Sequence, residues 1–432
     1  MGRTTKGGKA ATPKPVDPAS KPAKAPPKSA ANTTRTVYLD AAWKSAACDS
    51  DRNTAETKCK DKPDHQKKDE KARKGGLIRL VRDVTAGMDK IGRANYGYNK
   101  SKPVGNEWMD DHCAGMWAKP QFTGLDESEV AKYKKDLDKF GDTVDSYLKN
   151  PRKIVKASYE QLSRQAVDKF GYESVRNMVA KKVGIDAFIA AVPGPAKAGA
   201  LAKMVAIGKA GFSAASYVDT AKTLAAALAT DHAQELLRGM EYMVGKKKER
   251  LVELQKVWKD KPDRVMAELM SINAEFDACL RARKCHFTPY RNTSKENAKK
   301  GSGCCPGQTP HHVIPDSAVK EAKCKGYNHD GGLTICLEGQ DNHNGSHGRA
   351  HNNLNDILDT YNGVKKPPKP ISYSDMRGKA LDALKDQTEQ CKEACLIAQL
   401  DEYYVDCKDL IAKSGKGGAI PKGDQVEGPT VR

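Results

Sequence analysis

Histidine and cysteine side chains are concentrated between Cys304 and Asn352. Six of the ten histidines and four of the twelve cysteines lie in this stretch, which is about a ninth of the chain. Imidazoles and thiolates are common metal ligands, and a neutral imidazole also accepts a proton near neutral pH. The composition of the stretch therefore predicts a metal or acid–base site.

The first part of the stretch contains two adjacent histidines, His311 and His312. They follow the turn residues Gly307 and Pro310 and lead into a β-prone segment at 313–314. Successive side chains of an extended segment point to opposite faces. We therefore expect one imidazole of the pair to bind a metal while the other faces a substrate.

A second pair, His347 and His351, has the i, i+4 spacing that places both on one face of a helix, one turn apart. This geometry allows both to bind one ion. Zinc peptidases use the same spacing but require a glutamate base directly after the first histidine. Gly348 occupies that position, so the sequence excludes this peptidase class. The expected site is a metal held by this pair and one of the adjacent histidines, with the other left free as a base.

The helix that carries this pair has recognisable ends and a recognisable buried face. Either Ser346 or Asn344 is expected to cap it, and Asn362 with Gly363 is expected to end it. The apolar residues that follow His351 recur at helical spacing, which predicts that they face the core: Leu354, Ile357 and Leu358.

Three segments carry a resemblance to a known superfamily: GCCPGQTPHHVIP, ICLEG and GSHGRAH. They resemble the HNH/endonuclease VII superfamily, and within it the toxin nucleases with a GHH-type signature that bacteria deliver into competitors. The resemblance extends from DACLRARKC at 277–285 to AQLDEY at 398–403, about a third of the chain. Pro310 stands where that signature has glycine, which leaves both imidazoles in place.

The resemblance implies a role for each site residue. His311, His347 and His351 would hold one divalent ion, and His312 would act as the general base. Mg²⁺ is our first expectation for that ion, with Zn²⁺, Ni²⁺ or Mn²⁺ as alternatives. Further residues are candidates for orienting the base or gripping the scissile phosphate: Asn342, Asn344, Glu338 and Arg349.

The net charge of +19 on 432 residues favours a polyanionic partner, since phosphate backbones attract basic proteins. A solvated lysine-rich surface is the alternative explanation. The resemblance makes DNA the expected substrate, with RNA left open. Early basic residues are not followed by an apolar segment, and lysines interrupt every apolar run, so neither a Sec signal peptide nor a transmembrane span is expected.

The expected fold class is α+β, predominantly α, with a helical N-terminal and central region followed by a small ββα-metal nuclease domain. Composition and periodicity divide the chain into five parts. They are a disordered basic arm at 1–36, a mixed loop-rich region at 37–124, a helical scaffold or delivery region at 125–264 with Ala/Gly-rich helices, the nuclease domain at 265–412 and a flexible tail at 413–432.

The cysteines leave several arrangements open. Cys304, Cys305, Cys324 and Cys336 are candidates for a zinc site, but adjacent cysteines lack the C-x-x-C spacing that identifies such sites, and disulfides or buried thiols are equally compatible. The segment at 110–113 (DDHC) has no partner cluster, which favours a structural role over a second metal site.

The resemblance also implies a biological setting. The protein would be made in a bacterial cytoplasm, exported without a signal peptide by a route such as type VI secretion, and delivered into a target cell. Its partners would be a cognate immunity protein and a carrier or chaperone. Two other functions stay open: a non-catalytic zinc- or disulfide-stapled module that binds nucleic acid, and a membrane-perturbing effector acting through residues 184–230.

Overall fold

The computed structural model describes residues 42–60, 77–85, 112–113, 116, 126–183, 214–228, 230–293, 303–339, 343–363 and 366–413. These residues are mainly helical, with small antiparallel sheets, which confirms the predicted α+β, predominantly α class at that level. The predicted basic arm at 1–36, most of the loop-rich region, residues 184–213 and the tail beyond Lys413 lie outside the described residues.

The first part of the chain is helical, and we number its α-helices in order. A further helical segment lies at 77–85. The numbered helices are α1 (Asp49–Lys58), α2 (Glu127–Lys149), α3 (Pro151–Phe170), α4 (Tyr172–Val183), α5 (Ala214–Leu228), α6 (Asp231–Val244), α7 (Lys248–Val257) and α8 (Pro262–Phe276).

Local sequence explains where α2 and α3 begin and end. Asp126 accepts a hydrogen bond from the Glu129 backbone N–H, and the Glu129 side chain reaches back to Asp126, which forms a capping box. Pro151 begins α3, where its missing N–H is not needed. Gly171 follows α3 with φ 78°, a conformation that suits glycine.

Segment 77–85 and α2 to α8 enclose one apolar cluster, which we call the helical core. From α2 it receives Tyr133, Leu137, Phe140 and Val144, which recur at helical spacing. Among the residues that the structure describes, no helix combines the length and apolar character needed to cross a bilayer.

The second part of the chain contains short strands among helices. Its elements are α9 (Ala278–Arg283), β1 (Thr288–Pro289), β2 (Gln308–His312), α10 (Asp316–Glu321), β3 (Leu333–Glu338), α11 (Gly345–Asn362), β4 (Pro370–Ser372), α12 (Tyr373–Thr388), α13 (Glu393–Tyr403) and β5 (Asp409–Ile411). Strand β3 lies between β1 and β2, antiparallel to both, and β4 pairs with β5.

A second apolar cluster, the site core, joins β3 to α10, α11, α12 and α13. Helix α11 packs against β3, and it follows the antiparallel strands β2 and β3 in the chain. The assignment of a ββα-metal nuclease domain stays a prediction. As predicted, α11 ends at Asn362, and Gly363 follows with φ 87°. Leu354 and Leu358 are buried and Ile357 packs against the same cluster.

Helix α8 is shared between the two parts of the molecule. Val265, Leu269 and Phe276 lie in the helical core, while the opposite side of α8 packs against β3 and α11. The predicted boundary at 264/265 falls within the first turn of this helix. The division into a helical region and a nuclease domain stays a prediction.

All twelve cysteines form disulfides. The zinc arrangement that the sequence left open is therefore wrong, because all four of its thiols are oxidised. Cys304 and Cys336 bond to each other, while Cys305 and Cys324 bond to cysteines outside the set. The six pairs are Cys48–Cys395, Cys59–Cys279, Cys113–Cys305, Cys285–Cys391, Cys304–Cys336 and Cys324–Cys407.

Candidate metal and catalytic site

Three of the predicted metal ligands meet between β2 and α11. The ring centroid of His311 lies 5.1 Å from that of His347 and 4.5 Å from that of His351, and the last two are 5.1 Å apart. One ring nitrogen from each residue can be chosen so that all three lie within 4.8 Å of one another. The structure therefore brings together the three side chains that the sequence assigned to one ion.

Strand register and helix position explain this convergence. His311 pairs with Ile335 of β3, and its side chain is buried on the face that α11 covers. Gly345 begins α11 with φ 63°, and a Cβ at this position would collide with the Glu338 carbonyl oxygen. Glycine here lets the first turn of α11 approach the end of β3, which sets the pair His347 and His351 opposite His311.

Burial and mutual proximity keep these imidazoles neutral. Burial, followed by the neighbouring histidines, lowers the pKa of His311 well below its ordinary value. The same causes, in the same order, lower the pKa of His347 to about 3 and that of His351 to about 4. Each ring can therefore offer a lone pair at neutral pH.

The donor set fits a metal ion. The Nδ1 atom of His311 is buried and has no hydrogen-bond partner among the described residues, and a buried polar atom without a partner is costly unless a ligand satisfies it. Three neutral imidazoles are also a donor set that Zn²⁺, Ni²⁺ and related ions prefer, whereas Mg²⁺ prefers oxygen.

His312 points to the other side of β2, as the alternation of an extended strand predicts. Its Nε2 lies 3.2 Å from the backbone carbonyl oxygen of His329. Its ring stacks on Tyr290, with centroids 5.1 Å apart, and lies 4.7 Å from the ring of His329. Burial lowers the pKa of His312, and the contact with the His329 carbonyl partly opposes that shift.

The contact with His329 determines which nitrogen of His312 can act as a base. A carbonyl oxygen only accepts, so Nε2 of His312 must carry the hydrogen. In the neutral ring, Nδ1 then has the lone pair. His312 therefore has the tautomer and the ionisation state needed to accept a proton through Nδ1.

Sequence reasoning missed the loop that orients His312. The side-chain oxygen of Asn328 accepts a hydrogen bond from the Gly331 backbone N–H at 2.7 Å. The backbone carbonyl oxygen of Asn328 accepts one from the Tyr403 hydroxyl at 3.1 Å. These contacts hold the turn from which His329 reaches His312. The signal was the turn sequence Asn-His-Asp-Gly-Gly just before β3, whereas the predicted orienting asparagines, Asn342 and Asn344, lie after β3.

Glu338 does not lie free beside the base. Its carboxylate is fully buried and accepts hydrogen bonds from Lys284 Nζ at 3.0 Å, from Gln308 Nε2 at 2.9 Å and from the Ser346 hydroxyl. Lys284 directly follows α9, and the other two donors lie in β2 and α11. The structure thus gives Glu338 a structural role in joining three elements, in place of the predicted role in orienting His312.

Arg349 is directed away from the three histidines. It forms an ion pair with Glu268 of α8, and both side chains are buried. Two residues along a helix correspond to a rotation of about 200°, which places Arg349 on the opposite side of α11 from His347 and His351. Contact with a phosphate at the site would require this buried pair to break, so the structure does not support the predicted grip.

The remaining predicted site residues lie at the start of α11. Asn344 occupies the N-cap position without a side-chain cap hydrogen bond. Ser346 lies inside the first turn, where its hydroxyl contacts Glu338 instead of capping the helix. Asn342 lies outside the described residues. The predicted role of Asn344 at the site stays a prediction.

Comparison with known proteins gives one distant similarity. The DNase toxin Tse7 of Pseudomonas aeruginosa is 29% identical to this chain over 150 residues, which is 30% of the chain and 36% of Tse7. The matched part thus spans about a third of that toxin's length. No protein-family model matches the chain, and no solved structure matches it. The similarity to a DNase toxin agrees with the toxin-nuclease resemblance at a coarse level.

Proposed function

We propose that this protein is a metal-dependent endonuclease toxin that hydrolyses phosphodiester bonds in the DNA of a target cell. One observation carries the proposal: one face of β2 presents His311 to the two histidines of α11, and the other face carries a separately oriented imidazole, His312. The similarity to Tse7 and the net charge of +19 favour DNA as the substrate.

His311, His347 and His351 would hold one divalent ion through neutral ring nitrogens. When bound, such an ion supplies a Lewis acid that polarises the phosphoryl oxygen and stabilises charge on the leaving oxygen. Because all three donors are nitrogen, Zn²⁺ or Ni²⁺ are better candidates than Mn²⁺ or the Mg²⁺ that we expected first. A base separate from this cluster is then needed to activate water.

His312 is the residue we assign to that step. Nδ1 accepts a proton from the attacking water, while Nε2–H continues to donate to the His329 carbonyl, which also stabilises the resulting imidazolium. The stacked Tyr290 ring keeps the imidazole from rotating. Positioned bases of this kind contribute about 10² to 10⁴ in rate.

The biological setting is part of the proposal. A DNase must be kept from the DNA of the cell that makes it, so a cognate immunity protein is expected to bind the active form. Delivery into a target cell requires an export route, for which we propose type VI secretion, with a carrier or chaperone as partner. Resemblance and the toxin name of the distant relative support this setting.

The test is cleavage of supercoiled plasmid by the full-length, oxidised protein, with and without EDTA and with each metal added back. His347→Ala should lose metal binding and cleavage together. His312→Ala should retain the metal yet cleave about 10² to 10⁴ times more slowly. His232→Ala, in the helical region away from the site, is the matched control and should cleave normally.

Two results would contradict the proposal. One is a His312→Ala variant that cleaves at the wild-type rate. The other is a folded, metal-loaded wild-type protein that leaves DNA intact, and a parallel assay with RNA would then show whether only the substrate was misassigned. DNA binding without cleavage of either nucleic acid would favour the non-catalytic module.

A further inference from the structure

We propose that Thr309 is a positioning residue for the metal site: its hydroxyl fixes the tautomer and orientation of His347, so that Nε2 of that ring is presented to the ion. This inference rests on the proposed metal-dependent function and adds a residue to the site that the sequence patterns did not indicate. Thr309 itself touches neither substrate nor metal in this arrangement.

Two contacts of the Thr309 hydroxyl carry the inference. Its oxygen lies 2.5 Å from Nδ1 of His347 and 2.8 Å from the carbonyl oxygen of Gly339. The carbonyl can only accept, so the single hydroxyl hydrogen points to Gly339. The hydroxyl oxygen is then the acceptor for a hydrogen on Nδ1 of His347. A neutral His347 ring with its hydrogen on Nδ1 has its lone pair on Nε2.

The position of Thr309 in the sheet explains how its hydroxyl contacts a ligand of the metal site. Thr309 lies two residues before His311 in β2, so the two side chains share a face of the strand. It pairs with Leu337, two residues before Gly339, and β3 ends between them at Glu338. One strand therefore supplies the ligand His311 directly and orients the ligand His347 on α11.

Because His347 is buried, its hydrogen bond to Thr309 should affect metal binding strongly. His347 is only 6% exposed, so an Nδ1–H without a partner would remain unsatisfied in the protein interior. Without the hydroxyl, the ring can move its hydrogen to Nε2 or rotate, and either change removes the lone pair from the ion. Loss of such supporting hydrogen bonds weakens metal binding by about 10- to 100-fold.

The experiment measures the Zn²⁺ dissociation constant of the full-length, oxidised protein by competition with a chromophoric chelator. Thr309→Val keeps the shape of the side chain and removes the hydroxyl, and it should bind Zn²⁺ about 10 to 100 times more weakly. Thr309→Ser restores the hydroxyl and should bind close to wild type. Thr388→Val is the matched control, because the Thr388 hydroxyl also bonds a backbone carbonyl, on α12.

A second measurement does not need the metal. In metal-free protein with ¹⁵N-labelled histidine, the imidazole nitrogen shifts of the wild type should show His347 as the Nδ1–H tautomer, and this signature should be lost in Thr309→Val. An Nε2–H tautomer in the wild type would overturn the inference.

The outcomes separate this inference from the proposed function. If Thr309→Val binds Zn²⁺ as tightly as wild type, Thr309 has no positioning role, although the metal site stands. If Thr388→Val weakens binding equally, the effect reflects the fold and the inference also fails. If the folded wild type binds no divalent metal, the proposed function fails together with it.

Discussion

The helical core and the site core are stabilised in different ways. No cysteine occurs between residues 126 and 276, and the helical core is a continuous apolar cluster. Every disulfide instead has at least one cysteine between 279 and 407. Buried histidines, Glu338 and Arg349 lie in the same part of the chain. Covalent bonds therefore stabilise the part of the molecule where function places polar groups in the interior.

Buried charges join the two cores. Glu275 of α8 contacts Lys247 at 2.5 Å and Arg250 at 2.7 Å, and Arg250 also reaches Asp386 of α12 at 2.6 Å. The interface thus contains charge pairs, both cores are packed from apolar side chains, and the disulfides add covalent links to the C-terminal part of the chain. Removing each kind of interaction should therefore change the stability of a different part of the molecule.

Reduction of the disulfides should have the largest effect on stability, and it should destabilise the two cores to different degrees. A native disulfide in a small domain contributes about 2 to 5 kcal/mol, so loss of all of them should unfold the site core first. In hydrogen exchange of the full-length protein, reductant should remove protection from 303–413 while 130–170 and 231–257 remain protected. Equal loss of protection in both regions would mean that the helical core depends on the disulfides too.

Removing the shared charge should weaken the interface by an intermediate amount. Glu275→Gln leaves Lys247 and Arg250 buried without their common partner, and breaking buried pairs in this way costs about 3 to 5 kcal/mol. Urea unfolding should show this loss. Glu253→Gln, which removes a partly exposed pair with Lys256, should change stability by less than about 1 kcal/mol. Similar values for the two variants would contradict a role for charge at the interface.

Low pH should weaken the same contacts of Glu275 with Lys247 and Arg250. Burial alone raises the pKa of Glu275, but Lys247 and Arg250 outweigh burial and hold that pKa well below its usual range. A carboxyl with a lowered folded pKa stabilises the fold above its unfolded pKa of about 4.3, and this contribution is lost as pH falls towards the folded pKa. Stability should therefore fall below about pH 4 in the wild type and fall less steeply in Glu275→Gln.

Two glycine substitutions should give the smallest and most local effects, with opposite signs. A Cβ at Gly141 of α2 would lie 2.5 Å from the Trp258 ring, so Gly141→Ala should destabilise the helical core by about 1 to 3 kcal/mol. A Cβ at the helical Gly378 meets nothing within 4 Å, so Gly378→Ala should stabilise the site core by about 0.5 to 1 kcal/mol. Thermal melts of both variants test this contrast, and two shifts of the same sign would contradict it.

The sequence predicted the parts of the site that depend on local periodicity. Alternation along β2 separated His311 from His312, and i, i+4 spacing aligned His347 with His351. It could not predict the fate of Glu338 and Arg349, because their partners, Lys284 and Glu268, are distant in the chain.

Contacts made by backbone atoms or by single hydroxyl groups also could not be predicted from the sequence. The orienting carbonyl of His329 carries no residue-type signal, and Thr309 resembles any strand threonine. Cysteine pairing was equally inaccessible, since it depends on which segments the fold brings together. The predicted helices of the 125–264 region were clearer, since amphipathic spacing reports burial along a single element.

The three disulfides that join the segment before residue 117 to the C-terminal part of the chain also determine what proteolysis can achieve. A protease that cuts the chain once between residues 117 and 278 would leave the two pieces connected through Cys48–Cys395, Cys59–Cys279 and Cys113–Cys305. Cleavage alone therefore cannot liberate the C-terminal part. Any maturation that detaches it must supply electrons as well as a cut, and the redox state of the compartment decides whether the fragments separate.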